Sequence, residues 1–139
     1  MINNSITDFN KLNDKQKDSL TVNIIKGLIM DGVRNANSGH PGGPMSLADF
    51  TYILYSEFLT IDPKNPEWEN RDRVVLSVGH TCMLIYSILY LCGFLKIDDL
   101  KNFRKLGSLT PGHPEIETPG VDANTGPLGQ GVGMGIGMA

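Results

Sequence analysis

The chain has 139 residues, 40% hydrophobic and 19% charged, a balance that suits one soluble globular unit and excludes a disordered or fibrous chain. A net charge of -3 gives no clustered basic face, so no nucleic-acid partner is expected. No apolar run reaches the roughly 18 residues a membrane span needs, and the polar start Met1-Ile2-Asn3-Asn4-Ser5 is unlike a signal peptide, which points to the cytosol and to no membrane partner.

Residues 1–12 carry no period and read as a loose N-terminal arm, leaving 13–139 as the folded part. Asn13 with Gln16 three residues on is a capping signal, and Leu20, Ile24, Ile25, Leu28, Ile29 and Val33 form an apolar stripe behind it. The spacing predicts an amphipathic helix that ends near Asn37, because Gly39 and Pro41 cannot continue it, and that delivers His40. A second helix is expected from Ser46, with Asp49 three residues on, burying Leu47, Phe50, Leu54 and Phe58. The polar, proline-punctuated stretch from Asp62 to Asp72 reads as a surface connection pinned by Trp68.

Arg73 to Val78 predicts a short buried strand centred on Val74-Val75-Leu76, with Ser77-Val78-Gly79-His80 as the turn out of it. Thr81 to Cys92 is apolar on almost every side, as in a buried helix, and Gly93 is its stop. Strand, glycine turn and buried helix begin an α/β unit, where ligands gather at the strand's carboxyl end, the position of His80. Cys82 and Cys92 match neither a redox pair nor a zinc knuckle and read as reduced buried thiols. A short helix from Asp98 to Leu106 is expected to bury Leu100, Phe103 and Leu106, with Lys101, Arg104 and Lys105 as a solvated face and Gly107 at its end. Ser108 to Pro127 contains no convincing element, and a loop of that length in a compact domain is usually functional, with His113 its candidate working residue. The end of the chain alternates glycine with apolar residues from Gly131 to Ala139, which predicts close approach by a backbone or a cofactor.

All three histidines follow a glycine, in Gly39-His40-Pro41, Gly79-His80 and Pro111-Gly112-His113-Pro114, frames that hold a side chain still. Their convergence on one ligand, completed by the glycine-rich end, is the expected site. The tail fails the GxGxxG spacing from Gly129, Gly131 and Gly133, and no Gly-Lys-Ser/Thr occurs, so dinucleotide and P-loop readings have no support. A tri-histidine zinc site is disfavoured because the histidine positions 40, 80 and 113 match no compact ligand pattern, and no metal ligands are assigned to this chain.

Four blocks resemble the transketolase family in order and spacing: SGHPGGPM at Ser38 to Met45, NPEWENRDRVVLSVGH at Asn65 to His80, TPGHPE at Thr110 to Glu115, and TGPLGQGVGMGIGMA at Thr125 to Ala139. The resemblance runs from about Lys17 to Ala139 and implies the N-terminal portion of a thiamine diphosphate-binding domain, an α/β fold with helices around a parallel sheet, incomplete in this chain. It implies that His40 and His113 are catalytic and face the sugar substrate, that His80 approaches the cofactor diphosphate, and that Gly126, Pro127 and Leu128 contact the cofactor through backbone groups. The implied activity moves a two-carbon ketol unit from a ketose phosphate to an aldose phosphate, in a homodimer. The implied divalent ion, Mg²⁺ or Ca²⁺, is expected to find its ligands outside these residues, since the family's Gly-Asp-Gly and paired-asparagine motif is absent, and the isolated chain is expected to be inactive. Val78 and Asn124 depart from the commoner family residues without any expected loss of binding. Dihydroxyacetone synthase, the N-terminal subunit of a split transketolase, and a noncatalytic dimerisation module are the alternatives.

Overall fold

The computed structural model describes residues 8–139, and every regular element among them is helical. The expected N-terminal arm falls partly outside the described residues; within them Phe9–Lys11 make one 3-10 turn. Helix α1 (Asp14–Ala36) begins where the capping signal places it: the Asn13 side chain accepts from the Gln16 N–H, and the Gln16 side chain accepts from the Asn13 N–H, both at 3.0 Å. It ends at Asn37, whose φ of 48° is a left-handed cap that asparagine tolerates. Of the expected stripe, Ile25 and Ile29 are fully buried, Leu28 and Val33 pack half-buried against them, and Ile24 is exposed.

Helix α2 (Gly42–Ile53) starts earlier than the expected Ser46, because Pro44 falls in its first turn, where an N–H has no intrahelical acceptor to lose. That start sets the buried face at Pro44, Ala48 and Thr51, the spacing of one helix side. The expectation that Phe50 and Phe58 are core residues is therefore overturned: they are 66% and 70% exposed, and Leu47 is exposed as well. A π-helical turn, Leu54–Phe58, closes this segment.

No strand occurs among the described residues, which corrects the expectation for Arg73–Val78. The segment carries no regular structure and is unpaired, since a strand requires a neighbour's row of N–H and C=O groups. Side chains substitute for that row: the Val74 N–H donates to the Asp122 carboxylate at 2.9 Å, and the Thr125 hydroxyl donates to the Leu76 carbonyl at 2.6 Å. The parallel sheet expected around it is accordingly not seen among these residues.

After a 3-10 turn at Gly79–Thr81, helix α3 (Cys82–Cys92) runs through the centre of the molecule and buries every residue from Cys82 to Leu89. The core is α3 clasped by Ile25 and Ile29 of α1, Ala48 of α2, and Leu95, Leu100 and Phe103 beyond it. Gly32 makes the α1 contact possible, as a Cβ there would stand 2.7 Å from the Met83 methyl. Gly93, with φ of 93°, ends α3 as expected.

Helix α4 (Ile97–Lys101) is shorter than the expected Asp98 to Leu106. Leu100 and Phe103 are buried as anticipated, but the chain turns left-handed at Arg104, with φ of 63°, and carries Leu106 off the helical path into full exposure. Ser108 to Pro127 forms no helix or strand, in agreement with the sequence. Buried threonines hold it: the Thr110 hydroxyl donates to the Asp99 carbonyl at 2.6 Å and the Thr118 hydroxyl to the Leu109 carbonyl at 2.7 Å. Helix α5 (Gln130–Met138) follows. The close approach expected of its glycines is found at Gly131, where a Cβ would lie 2.7 Å from the Ser77 Cα, while Gly133, Gly135 and Gly137 face open space. No helix among the described residues is long and apolar enough to cross a membrane.

Candidate functional site

The three histidine frames meet through one chain of contacts that α3 organises. His40 leaves the gap between α1 and α2, and His80 lies in the turn that starts α3; their rings meet edge to face with centroids 4.8 Å apart. Gly43 brings the α2 entrance down onto that turn, because a Cβ at this position would stand 2.7 Å from the Thr81 methyl. Gly79 does the same from the other side. A Cβ on it would lie 2.6 Å from the Thr125 carbonyl oxygen and 3.0 Å from the Gly126 nitrogen, so the two backbones touch. Gly126 in turn faces the His113 ring, at 3.7 Å from the position of a Cβ.

Helix α3 also holds the His113 loop from below. The Tyr86 hydroxyl lies 3.0 Å from the Pro111 and His113 carbonyl oxygens, and the Cys82 thiol lies 3.1 Å from the Gly112 carbonyl oxygen. Burial pushes the Tyr86 phenol up strongly, so it stays a neutral donor to those carbonyls. Burial likewise pushes the Cys82 thiol up, to about 12. On the order of one Cys82 in ten thousand is then ionised at pH 8, and iodoacetamide is expected to leave Cys82 unmodified in the folded protein and to label it promptly in urea. Peptide mass mapping after a one-hour exposure at pH 8 checks this, and quick labelling of the native protein would contradict it. Neither cysteine forms a disulfide; Cys82 is buried as expected, whereas Cys92 is only half-buried, with its thiol also raised by burial.

His40 and His113 are exposed and His80 is half-buried. Leu128 is 74% exposed and Gly129 opens onto free space, while Gly126 is half-buried between Gly79 and His113. The expected site residues His40, His80, His113 and Gly126 are thus brought together, with Pro127 and Leu128 continuing from Gly126 at the rim. Among the described residues no group of three or more His, Cys, Asp or Glu could hold a metal ion.

Sequence reasoning missed the groups that hold this arrangement. Asp122, 5% exposed, pairs with Arg71 and caps the Val74 N–H, while Thr125 ties Gly126 to the Arg73–Val78 segment. Arg104 was expected in a solvated face, but its guanidinium packs over the Phe103 ring at 5.6 Å and its Nη1 donates to the Ser38 hydroxyl at 2.6 Å. No periodicity marks any of these; Asn102, a residue suited to ending a helix, is the one local hint that Arg104 leaves the α4 path.

Residues 17–139 match the family described as transketolase, thiamine diphosphate binding domain. The chain belongs to the transketolase family. The transketolase of Buchnera aphidicola subsp. Baizongia pistaciae is 60% identical over 119 residues, which cover 84% of this chain and 18% of that protein. That of Kluyveromyces lactis is 55% identical over 123 residues, 88% of this chain and 18% of its own. Among solved structures, the transketolase from Leishmania mexicana superposes with a TM-score of 0.85 at 46% identity, covering 87% of this chain and 18% of that one. The Campylobacter jejuni transketolase gives 0.82 at 54% identity, covering 87% and 19%. The chain therefore spans less than a fifth of the length of these relatives.

Proposed function

We propose that these residues form one wall of a transketolase active site, which moves a two-carbon ketol unit from a ketose phosphate to an aldose phosphate. The observation that carries the reading is the contact chain from His40 through His80, Gly79 and Gly126 to His113, which supports a shared site for the three imidazoles and the Gly126 turn. The residues fit thiamine diphosphate as a partial cradle: His80 offers an N–H to diphosphate oxygens, and Gly126, Pro127 and the exposed Leu128 offer backbone and apolar surface to a ring. When bound, that cofactor supplies the nucleophilic carbon and the electron sink for carbon–carbon cleavage. His40 and His113 are the catalytic residues of this proposal, binding the sugar's hydroxyl oxygens and exchanging protons with them through an imidazole nitrogen. The donor set does not fit Mg²⁺ or Ca²⁺, which take several oxygen ligands, so no metal step is assigned here.

In this reading the rest of the domain, including a parallel sheet flanking Arg73–Val78, comes from residues outside the 139. The exposed apolar side chains Phe50, Ile53 and Phe58 along α2, and Val132 and Ile136 of α5, support burial against those parts and a second copy in a cytoplasmic homodimer. Placement in the pentose phosphate pathway follows from the sugar phosphate chemistry. Calorimetric titration of thiamine diphosphate with Mg²⁺ tests the one-wall reading: binding is expected in a chain extended to the length of the relatives and not in the 139 residues alone. Tight saturable binding by the short chain would overturn it. The extended chain is expected to convert xylulose 5-phosphate and ribose 5-phosphate by ketol transfer, and absence of turnover would remove the proposed activity.

A further inference from the structure

Arg104 combines three features that rarely meet in one residue. Its backbone is left-handed, with φ of 63°, a conformation in which a long side chain is uncommon and costs energy. Its Nε is buried without an acceptor among the described residues, although buried donors are nearly always paired. Its guanidinium nevertheless reaches across to another loop, donating from Nη1 to the Ser38 hydroxyl at 2.6 Å. Strain and an unmet donor persist only where the surroundings over-determine the position, and here they do so from both sides.

On one side is the His40 loop. Ser38 lies two residues before His40, and Gly39 between them, with φ of 134°, packs so tightly that a Cβ would stand 3.1 Å from the Phe103 ring. On the other is the His113 loop. The Arg104 N–H donates to the Thr110 carbonyl at 2.9 Å, and a Cβ on Gly112, the residue before His113, would lie 3.2 Å from the Arg104 Nε. Arg104 and His113 line the same groove. Arg104 thus joins both histidine loops: its guanidinium donates to Ser38 and lies beside Gly112, and its backbone N–H holds Thr110.

We propose that Arg104 is a positioning residue that sets the separation and orientation of His40 and His113 across the substrate channel. The role rests on the functional reading above. Arginine suits it because its planar, permanently charged guanidinium reaches the Ser38 hydroxyl through Nη1 while its Nε lies against Gly112, a shape a lysine's single ammonium does not reproduce. A left-handed backbone at this residue points the fork back between the loops instead of along the exposed side of α4.

The test uses the extended, active enzyme carrying Arg104→Gly, Arg104→Lys and Ser38→Ala. Glycine accepts the left-handed backbone, so Arg104→Gly removes the fork while keeping the turn, and its thermal midpoint is expected to stay close to that of the unsubstituted enzyme. Its kcat/KM for the ketose donor is expected to fall by about 10²-fold, the scale of a small misplacement of reacting groups. Arg104→Lys is expected to recover only part of that loss. Ser38→Ala is expected to lower kcat/KM alone but to add little on top of Arg104→Gly, since the two act through one contact. Imidazole NMR signals read the positioning without turnover: those of His40 and His113 are expected to shift together in Arg104→Gly. Unchanged signals for either histidine, full activity in Arg104→Gly, or full recovery by Arg104→Lys would each overturn the proposal. An inactive unsubstituted enzyme would count against the ketol-transfer reading, and the NMR comparison would still decide the role of Arg104.

Discussion

Asp122→Ala is expected to lower the unfolding free energy by about 3–5 kcal/mol, the cost of leaving one member of a buried ion pair without its partner. The Asp122 side chain is 5% exposed and that of Arg71 13%, so solvent can neither screen the pair nor rehydrate what remains. Arg71 is also fixed from behind, with its Nε donating to the Pro66 carbonyl, so its charge has no easy route to water. The same substitution strips the Val74 N–H of its acceptor. Two losses therefore fall on one side chain, one ionic and one from the segment that leads to His80. Asp122→Asn keeps an oxygen for Val74 and loses only the charge, and its expected penalty is smaller. Urea unfolding followed by circular dichroism measures both variants; a loss below about 1 kcal/mol for the alanine variant would show that Arg71 relaxes outward and that the pair contributes little.

The parts of this fold that were legible in the sequence are those decided within a few residues. The reciprocal Asn13 and Gln16 cap needs only its own four-residue window, and α3 announces itself because a helix buried on every side must be apolar on every side. The parts that were not legible depend on what lies across space. Pro44 is compatible with a first helical turn and with a loop, and which stripe of α2 faces α1 and α3, Pro44, Ala48 and Thr51 and not Phe50, is set by packing across space. The β-branched and apolar character of Val74-Val75-Leu76 is real strand character, yet pairing needs a neighbouring strand, and here two side chains from the 108–127 loop take its bonds.

The site divides along the same line. Glycine beside histidine marks a held imidazole, which is local chemistry; His40 and His80 meet ring to ring, and His113 packs beside Gly126. The residues that hold these contacts carry no such mark. Arg104 looks like one more cation on an amphipathic helix until the chain turns left-handed beneath it, and Asp122 and Thr125 look like ordinary loop residues until Arg71, Val74 and Leu76 arrive. Held side chains are readable from sequence when their frame is unusual. Their supports are ordinary residues in unusual places.

Gly79→Ala is expected to cost roughly 3 kcal/mol of stability, the upper part of the range for overpacking, and to impair the site. The added carbon would fall 2.6 Å from the Thr125 carbonyl oxygen, 2.8 Å from its carbon and 3.0 Å from the Gly126 nitrogen. All three are backbone atoms, so no flexible side chain can swing away, in contrast to Gly32, whose neighbour is the pliable end of Met83. Relief requires the Gly79 turn and the Thr125-Gly126 strand of chain to separate, and the Thr125 hydroxyl bond to the Leu76 carbonyl, at 2.6 Å, resists that. His80 sits on one side of the contact and His113, against Gly126, on the other, so separation spreads two of the three imidazoles. In the extended enzyme the result is expected to be weaker thiamine diphosphate binding and a kcat/KM lower by about 10²-fold. Gly133→Ala, where a Cβ meets nothing within 4 Å, is the matched control and is expected to hold or raise stability, since alanine is the better helix former. Equal melting temperatures and equal cofactor affinity for the two variants would show that the Gly79 backbone is not what joins the His80 turn to the glycine-rich end.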